Sequence, residues 1–323
     1  MKRSAAWVMA ALIASGAAAK AQDPPPAAMT LPPPEVSDPL PGGERIAGDH
    51  VFANFYPGKG EGRRPGVLLL AGSEGGLGGG TGRIAQALAG EGFAVLQLCY
   101  FGCPGLPPRL ANVPLEIFTQ GLAWLKRDPR VDGSRLAVMG GSKGSEPALL
   151  LAARAPELKA VVATQPSSVV WPGITFEPEP KPGWTENGRP LDFLPYAKDS
   201  ETEKGIFFHY KNALAGLGAH PGAVIAVEKI RAPILLVCGE ADTLWPSCPM
   251  ADQIAARLKA KGRRMPTILR YANAGHEVFG LPIDRSSPHF AHLGSLGGTP
   301  DGIAAAHEDD WPKTVAFLKT AMR

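Results

Sequence analysis

The sequence lacks several features that would direct its reading elsewhere. Lysine and arginine number 33 against 30 acidic residues, a formal net charge of +3, and the Lys-Arg pairs are scattered. No basic patch for nucleic acid is present. Neither H-E-x-x-H nor C-x-x-C occurs, so the chain carries none of the usual metal signatures, and neither metal nor cofactor is expected. The glycine-rich run A-G-S-E-G-G-L-G-G-G-T-G fits no register of G-x-G-x-x-G, and no Gly-Lys-Ser/Thr follows it, which leaves no support for a nucleotide site. There is no internal repeat and no sign of a second core. Only four cysteines occur in 323 residues.

What is present begins with an export signal. M-K-R-S is positive, residues 5–19 are an apolar run broken by Gly16, and Ala19-Lys20-Ala21 supplies a small-residue cleavage site. The run is too short and interrupted for a membrane span, and no cysteine stands at the cleavage point for a lipid anchor, the first being Cys99. Residues 1–21 are therefore read as a signal peptide and the mature chain as periplasmic or secreted, with no membrane span. Residues 22–45, rich in proline and poor in large apolar groups, are expected to form an extended tether. Residues 46–323 are left for one catalytic domain. In an oxidising compartment four cysteines allow two disulfides in three connectivities. Cys238 and Cys248 flank the loop that carries Asp242 and could pin it; the spacing of Cys99 and Cys103 is unusual for a bridge, and buried thiols are the competing reading.

Along residues 46–323, short apolar runs such as G-V-L-L-L, F-A-V-L-Q-L, R-L-A-V-M, L-K-A-V-V-A and P-I-L-L-V-C alternate with amphipathic stretches. The amphipathic stretches include P-L-E-I-F-T-Q-G-L-A-W-L-K-R, P-M-A-D-Q-I-A-A-R-L-K-A-K and a last helix in D-D-W-P-K-T-V-A-F-L-K-T-A-M. That rhythm predicts an α/β fold with a mainly parallel sheet covered by helices on both faces. Residues 170–220 interrupt it with proline, glycine and the aromatics Trp171, Phe176, Trp184, Phe193, Tyr196, Phe207, Phe208 and Tyr210. A stretch of that length within a compact domain suggests a lid, here one enclosing an apolar acyl pocket. Trp171, Trp184 and Glu74 are the expected pocket residues.

The chemistry rests on Gly140-Gly141-Ser142-Lys143-Gly144, which follows a strand-like run and precedes a helix-like one. This is the Gly-x-Ser-x-Gly elbow, in which a sharp strand-to-helix turn lifts a serine above the sheet and leaves no room for side chains at positions 140 and 144. A serine hydroxyl needs a base, and the base needs an orienting acid, in chain order Ser, acid, His. Asp242 and His276 each follow a predicted strand, in that order. Glu240 is the second-choice acid, and His50, His289, His292 and His307 are rival bases in less suitable places. The N–H of Lys143 and that of Ser73, in the glycine loop, are the expected oxyanion donors, with Glu74 second to Ser73.

The segments G-G-S-K-G-S-E, G-E-A-D-T-L-W-P-S-C-P-M-A-D-Q-I-A-A-R-L, A-N-A-G-H-E-V-F and L-G-G-T-P-D-G-I-A-A-A-H-E-D-D-W-P-K-T-V-A-F-L resemble the C-terminal catalytic domain of the acyl-CoA thioesterase and bile acid-CoA:amino acid N-acyltransferase family. That family is an α/β-hydrolase relative of dienelactone hydrolase, and the resemblance covers roughly residues 65 to 320. It implies an α/β-hydrolase fold and Ser142, Asp242 and His276 as nucleophile, acid and base. It also implies hydrolysis of a small-molecule ester or thioester without a cofactor. Two departures stand out: the tether leaves no space for the immunoglobulin-like domain of the animal members, and those members work inside cells. Some acyltransferase members use a cysteine where this chain has Ser142, which favours water as acceptor. An acyltransferase, a peptidase and a noncatalytic protein on the same fold are the other readings.

Overall fold

The computed structural model describes residues 34–323 except 176, 178 and 200. The predicted signal peptide, the first part of the tether and Phe176 lie outside the described residues. In chain order the elements are β1 (Glu44–Gly48), β2 (Val51–Tyr56), β3 (Arg64–Leu70), α1 (Gly79–Gly90), β4 (Ala94–Leu98), β5 (Val113–Pro114), α2 (Glu116–Arg127), β6 (Val131–Gly141) and α3 (Ser145–Ala152). They continue with β7 (Ala160–Thr164), β8 (Trp184–Glu186), β9 (Arg189–Pro190), α4 (Ile206–Ala215), β10 (Ile234–Gly239), α5 (Ser247–Ala260), β11 (Thr267–Tyr271) and α6 (Pro300–Ala321).

The apolar runs become strands because both of their faces are covered, as continuous rather than alternating hydrophobicity requires. Along β3, Val67 and Leu69 face one layer with Ala85 and Leu88 of α1 and Ile303, Val315 and Leu318 of α6. Leu68 and Leu70 face the other, with Phe118 and Leu122 of α2, Leu149 of α3 and Ile254 of α5. The strand period of two sorts one sequence into two cores. The eight-stranded sheet runs β1-β2-β4-β3-β6-β7-β10-β11. The six strands from β4 to β11 pair in parallel, while β1 and β2 are antiparallel at one edge. This is the α/β-hydrolase fold expected from the sequence.

Two regions differ from the simple rhythm. Residues 34–43 lie against the body: Leu77 N–H donates to the Glu35 carbonyl (2.7 Å), Ser37 N–H to the Leu77 carbonyl (3.2 Å) and Leu40 N–H to the Tyr56 hydroxyl (3.1 Å). The segment thus straps the glycine loop. The insertion between β7 and β10 is closed at its base by an antiparallel bridge between Val169 and Val224. It contains α4 and the β8–β9 pair, which with β5 forms a small three-stranded sheet. Arg154 on the body grips its Glu186 through two hydrogen bonds of 2.6 and 2.9 Å.

Candidate active site

Parallel strands deliver their C-terminal ends to one edge of the sheet, which is where ligands bind in such folds. Ser142 stands immediately beyond β6, Asp242 beyond β10 and His276 beyond β11. Ser142 has φ 52°, a left-handed conformation that a serine adopts only at some cost in strain. The glycines around it behave as expected. A Cβ at Gly140 would strike the Gly144 carbonyl, one at Gly144 the Ala71 carbonyl, and one at Gly141 would lie 2.7 Å from Thr164 Oγ1.

The three side chains form one hydrogen-bonded line. Ser142 Oγ lies 2.8 Å from His276 Nε2, and His276 Nδ1 lies 2.9 Å from Asp242 Oδ2. Asp242 is held from several sides: its Oδ1 accepts the N–H groups of Leu244 (2.9 Å) and Trp245 (3.1 Å), and its Oδ2 accepts the Ser247 hydroxyl (2.8 Å). With the Asp242 Oδ2 atom beside it, Nδ1 of the imidazole is the donor, which turns the lone pair of Nε2 towards the serine. The Trp245 ring meets the imidazole edge-on at 5.6 Å between centroids. Asp242 and His276 are buried, 6% and 8% exposed, and Ser142 is half-buried, so Ser142 remains reachable from outside.

The second-choice residues lie elsewhere. Glu240 is exposed and faces Arg270. His50, His289 and His292 are exposed, and His307 is buried with both ring nitrogens on the carbonyls of Glu277 and Leu281. Both cysteine pairs are bridged: Cys238–Cys248, with Cα atoms 5.2 Å apart, spans the Asp242 loop, and Cys99–Cys103 closes a loop after β4.

Among the expected oxyanion and pocket residues the picture is mixed. The glycine loop carrying Ser73 adjoins the elbow, since a Cβ on Gly72 would lie 3.3 Å from Ser142 Cβ. The Tyr100 hydroxyl braces this loop through the carbonyls of Ala71 (2.7 Å) and Gly72 (2.9 Å). Glu74 is exposed and its carboxylate accepts the Gly72 N–H at 3.0 Å, so it shapes the loop. Trp171 and Trp184 correct the expectation made for them. Both are 0% exposed and line no accessible pocket. Trp171 is packed among Tyr196 and Tyr210, and Trp184 among Tyr100 and Phe118, because large aromatic faces gain most when wholly removed from water.

Sequence reasoning missed what holds them. The Lys143 side chain, treated only as the bearer of a backbone N–H, runs into the interior and pairs with Glu146 at 2.8 Å. Two signals were available: a lysine inside a small-residue elbow, and a single glutamate three residues on, opening a helix whose other members are nearly all apolar. Gln165 was missed as well. It is buried beside the elbow with φ 42°, and its Oε1 accepts the Thr164 hydroxyl at 2.9 Å.

Relatives are found both by fold and by sequence. Among solved structures, a putative dienelactone hydrolase from Klebsiella pneumoniae superposes with a TM-score of 0.54 at 18% identity, covering 83% of this chain and 92% of the other. An esterase from Pyrobaculum calidifontis gives 0.56 at 18% identity, with 88% of each chain covered. At that identity they speak for the fold alone. In sequence, the chain is 31% identical over 283 residues to mouse acyl-coenzyme A thioesterase 6, covering 83% of this chain and 62% of the relative. It is 31% identical over 263 residues to human mitochondrial acyl-coenzyme A thioesterase 2, covering 79% and 52%. The chain thus spans little more than half the length of these relatives. The family model for the C-terminal domain of BAAT and acyl-CoA thioester hydrolases matches residues 113–323, and with the elbow, the strand order and these relatives in agreement, the chain belongs to that family.

Proposed function

We propose that the protein is a serine hydrolase of carboxylic ester or thioester bonds that works through an acyl-enzyme. The observation that carries the reading is the unbroken line from Ser142 Oγ through His276 to Asp242, with both links under 3 Å. His276 Nε2 removes the hydroxyl proton as Ser142 Oγ attacks the carbonyl carbon, and the N–H groups of Lys143 and Ser73 receive the negative charge on the carbonyl oxygen. The protonated His276 then gives its proton to the departing alcohol or thiol. Water enters, loses a proton to His276, attacks the acyl carbon, and Ser142 leaves with that proton restored. Asp242 keeps the imidazole in one tautomer throughout and stabilises its cationic form.

The names of the relatives support a thioester as one substrate, and export of the mature chain to the periplasm or medium is part of the same proposal. Ser142→Ala and His276→Ala should each lower kcat on an ester or thioester by about 10⁴-fold or more, and the double variant should be no worse, because triad members act as a unit. A fluorophosphonate probe should label wild type and not Ser142→Ala. Turnover that survives in Ser142→Ala refutes the serine mechanism, and product analysis with added amine or alcohol acceptors separates hydrolysis from acyl transfer.

A further inference from the structure

The residue after the nucleophile has two separate tasks. Its backbone N–H faces the reacting carbonyl in the proposed mechanism, while its side chain turns inward and is 4% exposed. Lys143 Nζ there meets three acceptors: Glu146 Oε1 at 2.8 Å, the Trp171 carbonyl at 3.0 Å and the Pro172 carbonyl at 2.9 Å. Two of the three ammonium protons meet the carbonyls of Trp171 and Pro172 in hydrogen bonds, while Glu146 Oε1 faces the nitrogen as an ion-pair contact without a well-formed hydrogen bond. The Trp184 ring adds a face 5.5 Å from the same nitrogen. Glu146 is wholly buried, and its Oε2 accepts the Trp184 indole N–H at 2.8 Å and the Trp171 N–H at 3.1 Å. Two donors at Oε2, three oxygens around the ammonium and the 2.8 Å charge contact between them fit the ionised pair. Burial pushes the Lys143 pKa down and that of Glu146 up, and in each the partner's charge opposes the push.

Stability alone does not account for such a pair. Replacing a buried ion pair by apolar groups of similar volume is often neutral or stabilising, since the attraction merely offsets lost hydration. What the pair adds here is direction. It fixes the first turn after Ser142 against two separate stretches of the insertion, around Trp171 and Trp184, and so fixes the peptide plane whose N–H belongs to Lys143. An oxyanion donor is useful only if it is aimed before charge develops.

We propose that Lys143 and Glu146 are positioning residues for the oxyanion hole, coupling the seating of the 169–224 insertion to the aim of the Lys143 N–H. The inference rests on the serine-hydrolase reading above. It is tested with Lys143→Met/Glu146→Gln, which removes both charges and leaves no orphaned ion, and with Glu146→Gln alone as a second variant. Both should keep a cooperative thermal transition. Because a 1 Å misplacement at a reacting centre costs about 10²-fold, kcat should fall by roughly 10- to 100-fold, with KM changed by less than about threefold. Affinity for a trifluoromethyl ketone, whose adduct with Ser142 bears the same oxyanion, should weaken in parallel with kcat/KM, which a merely structural role would not require. A folded double variant or Glu146→Gln protein with kcat within about twofold of wild type overturns the proposal, as does a rise in KM that accounts for the whole loss. Ser142→Ala on the same substrate keeps the two questions apart. Activity persisting there refutes the serine reading, whereas activity lost there but intact in the double variant refutes the positioning pair alone.

Discussion

Asp310 is a buried carboxyl group with little to compensate its loss of water. It is 0% exposed on α6, neither carboxyl oxygen has a well-formed hydrogen-bond partner, and nearby Thr314 also has an unpaired hydroxyl. The Gly280 N–H approaches the carboxyl group, but burial dominates, Asp309 adds repulsion, and the pKa is pushed up to about 9. The folded chain therefore keeps a proton that the unfolded chain releases near its ordinary value of 3.8. Folding stability linked to this site is greatest below that value, is lost progressively as pH rises, and levels off above about 9. Asp310→Asn should accordingly raise Tm at pH 8 and have its advantage shrink towards pH 4; an advantage that is constant with pH, or that grows in acid, contradicts this account. Nothing in the sequence singles the residue out. In A-A-A-H-E-D-D-W it is one of several acidic letters, and only the packing of α6 on β10 and β11 decides which of them loses water.

At the scale of elements, legibility followed the strength of local pattern. The apolar runs and the elbow read correctly because β3, β4, β6, β7 and β10 each contain a run of apolar residues and the motif carries its own flanking context. The loops carrying Ser142, Asp242 and His276 were legible for a related reason: each lies directly after a strand whose apolar run is plain. The last helix was placed too late. D-D-W-P has the acids and proline of a helix start, yet α6 begins at Pro300, capped by the Thr299 hydroxyl accepting Gly302 N–H at 3.0 Å, and carries Pro312 within it. The two-residue strands β5 and β9 had no period to read, since partners distant in sequence define them. The Cys238–Cys248 bridge joins the end of strand β10 to the first turn of α5 across the loop that holds Asp242. Closing a loop of this size is worth about 2–3 kcal/mol in chain entropy. Reduction should thus loosen the acid and lower kcat at temperatures where the far-ultraviolet circular dichroism is still native. Full activity with two titratable thiols from this bridge would show that the loop holds itself.

For the whole molecule, the open question is the leaving group. A coenzyme A thioester carries several phosphate charges and needs cationic partners. Four basic residues considered for that role are otherwise engaged or scattered: Arg63 donates to the Val131 carbonyl at 2.7 Å, Arg64 to the Glu61 carbonyl, Lys181 pairs with Glu177 at 3.0 Å, and Arg189 stands exposed on β9. None of these contacts builds a phosphate clamp at the Ser142 edge. Together with the proposed export, which removes the enzyme from cytosolic acyl-CoA, this favours short oxygen esters, whose kcat/KM should equal or exceed that of the matching acyl-CoA. A preference for acyl-CoA over the same acyl group on a simple thiol, abolished when those four residues are neutralised, would reverse the conclusion and argue against export too. The strap formed by residues 34–43 has a practical consequence for any such measurement. Because the Glu35 and Ser37 backbone is paired with Leu77, the strap braces the very loop that is asked to supply Ser73 N–H. A recombinant form trimmed at the first regular strand would remove that brace while leaving sheet and triad in place, and would measure an enzyme with a slack oxyanion loop; the expression boundary belongs ahead of Pro34.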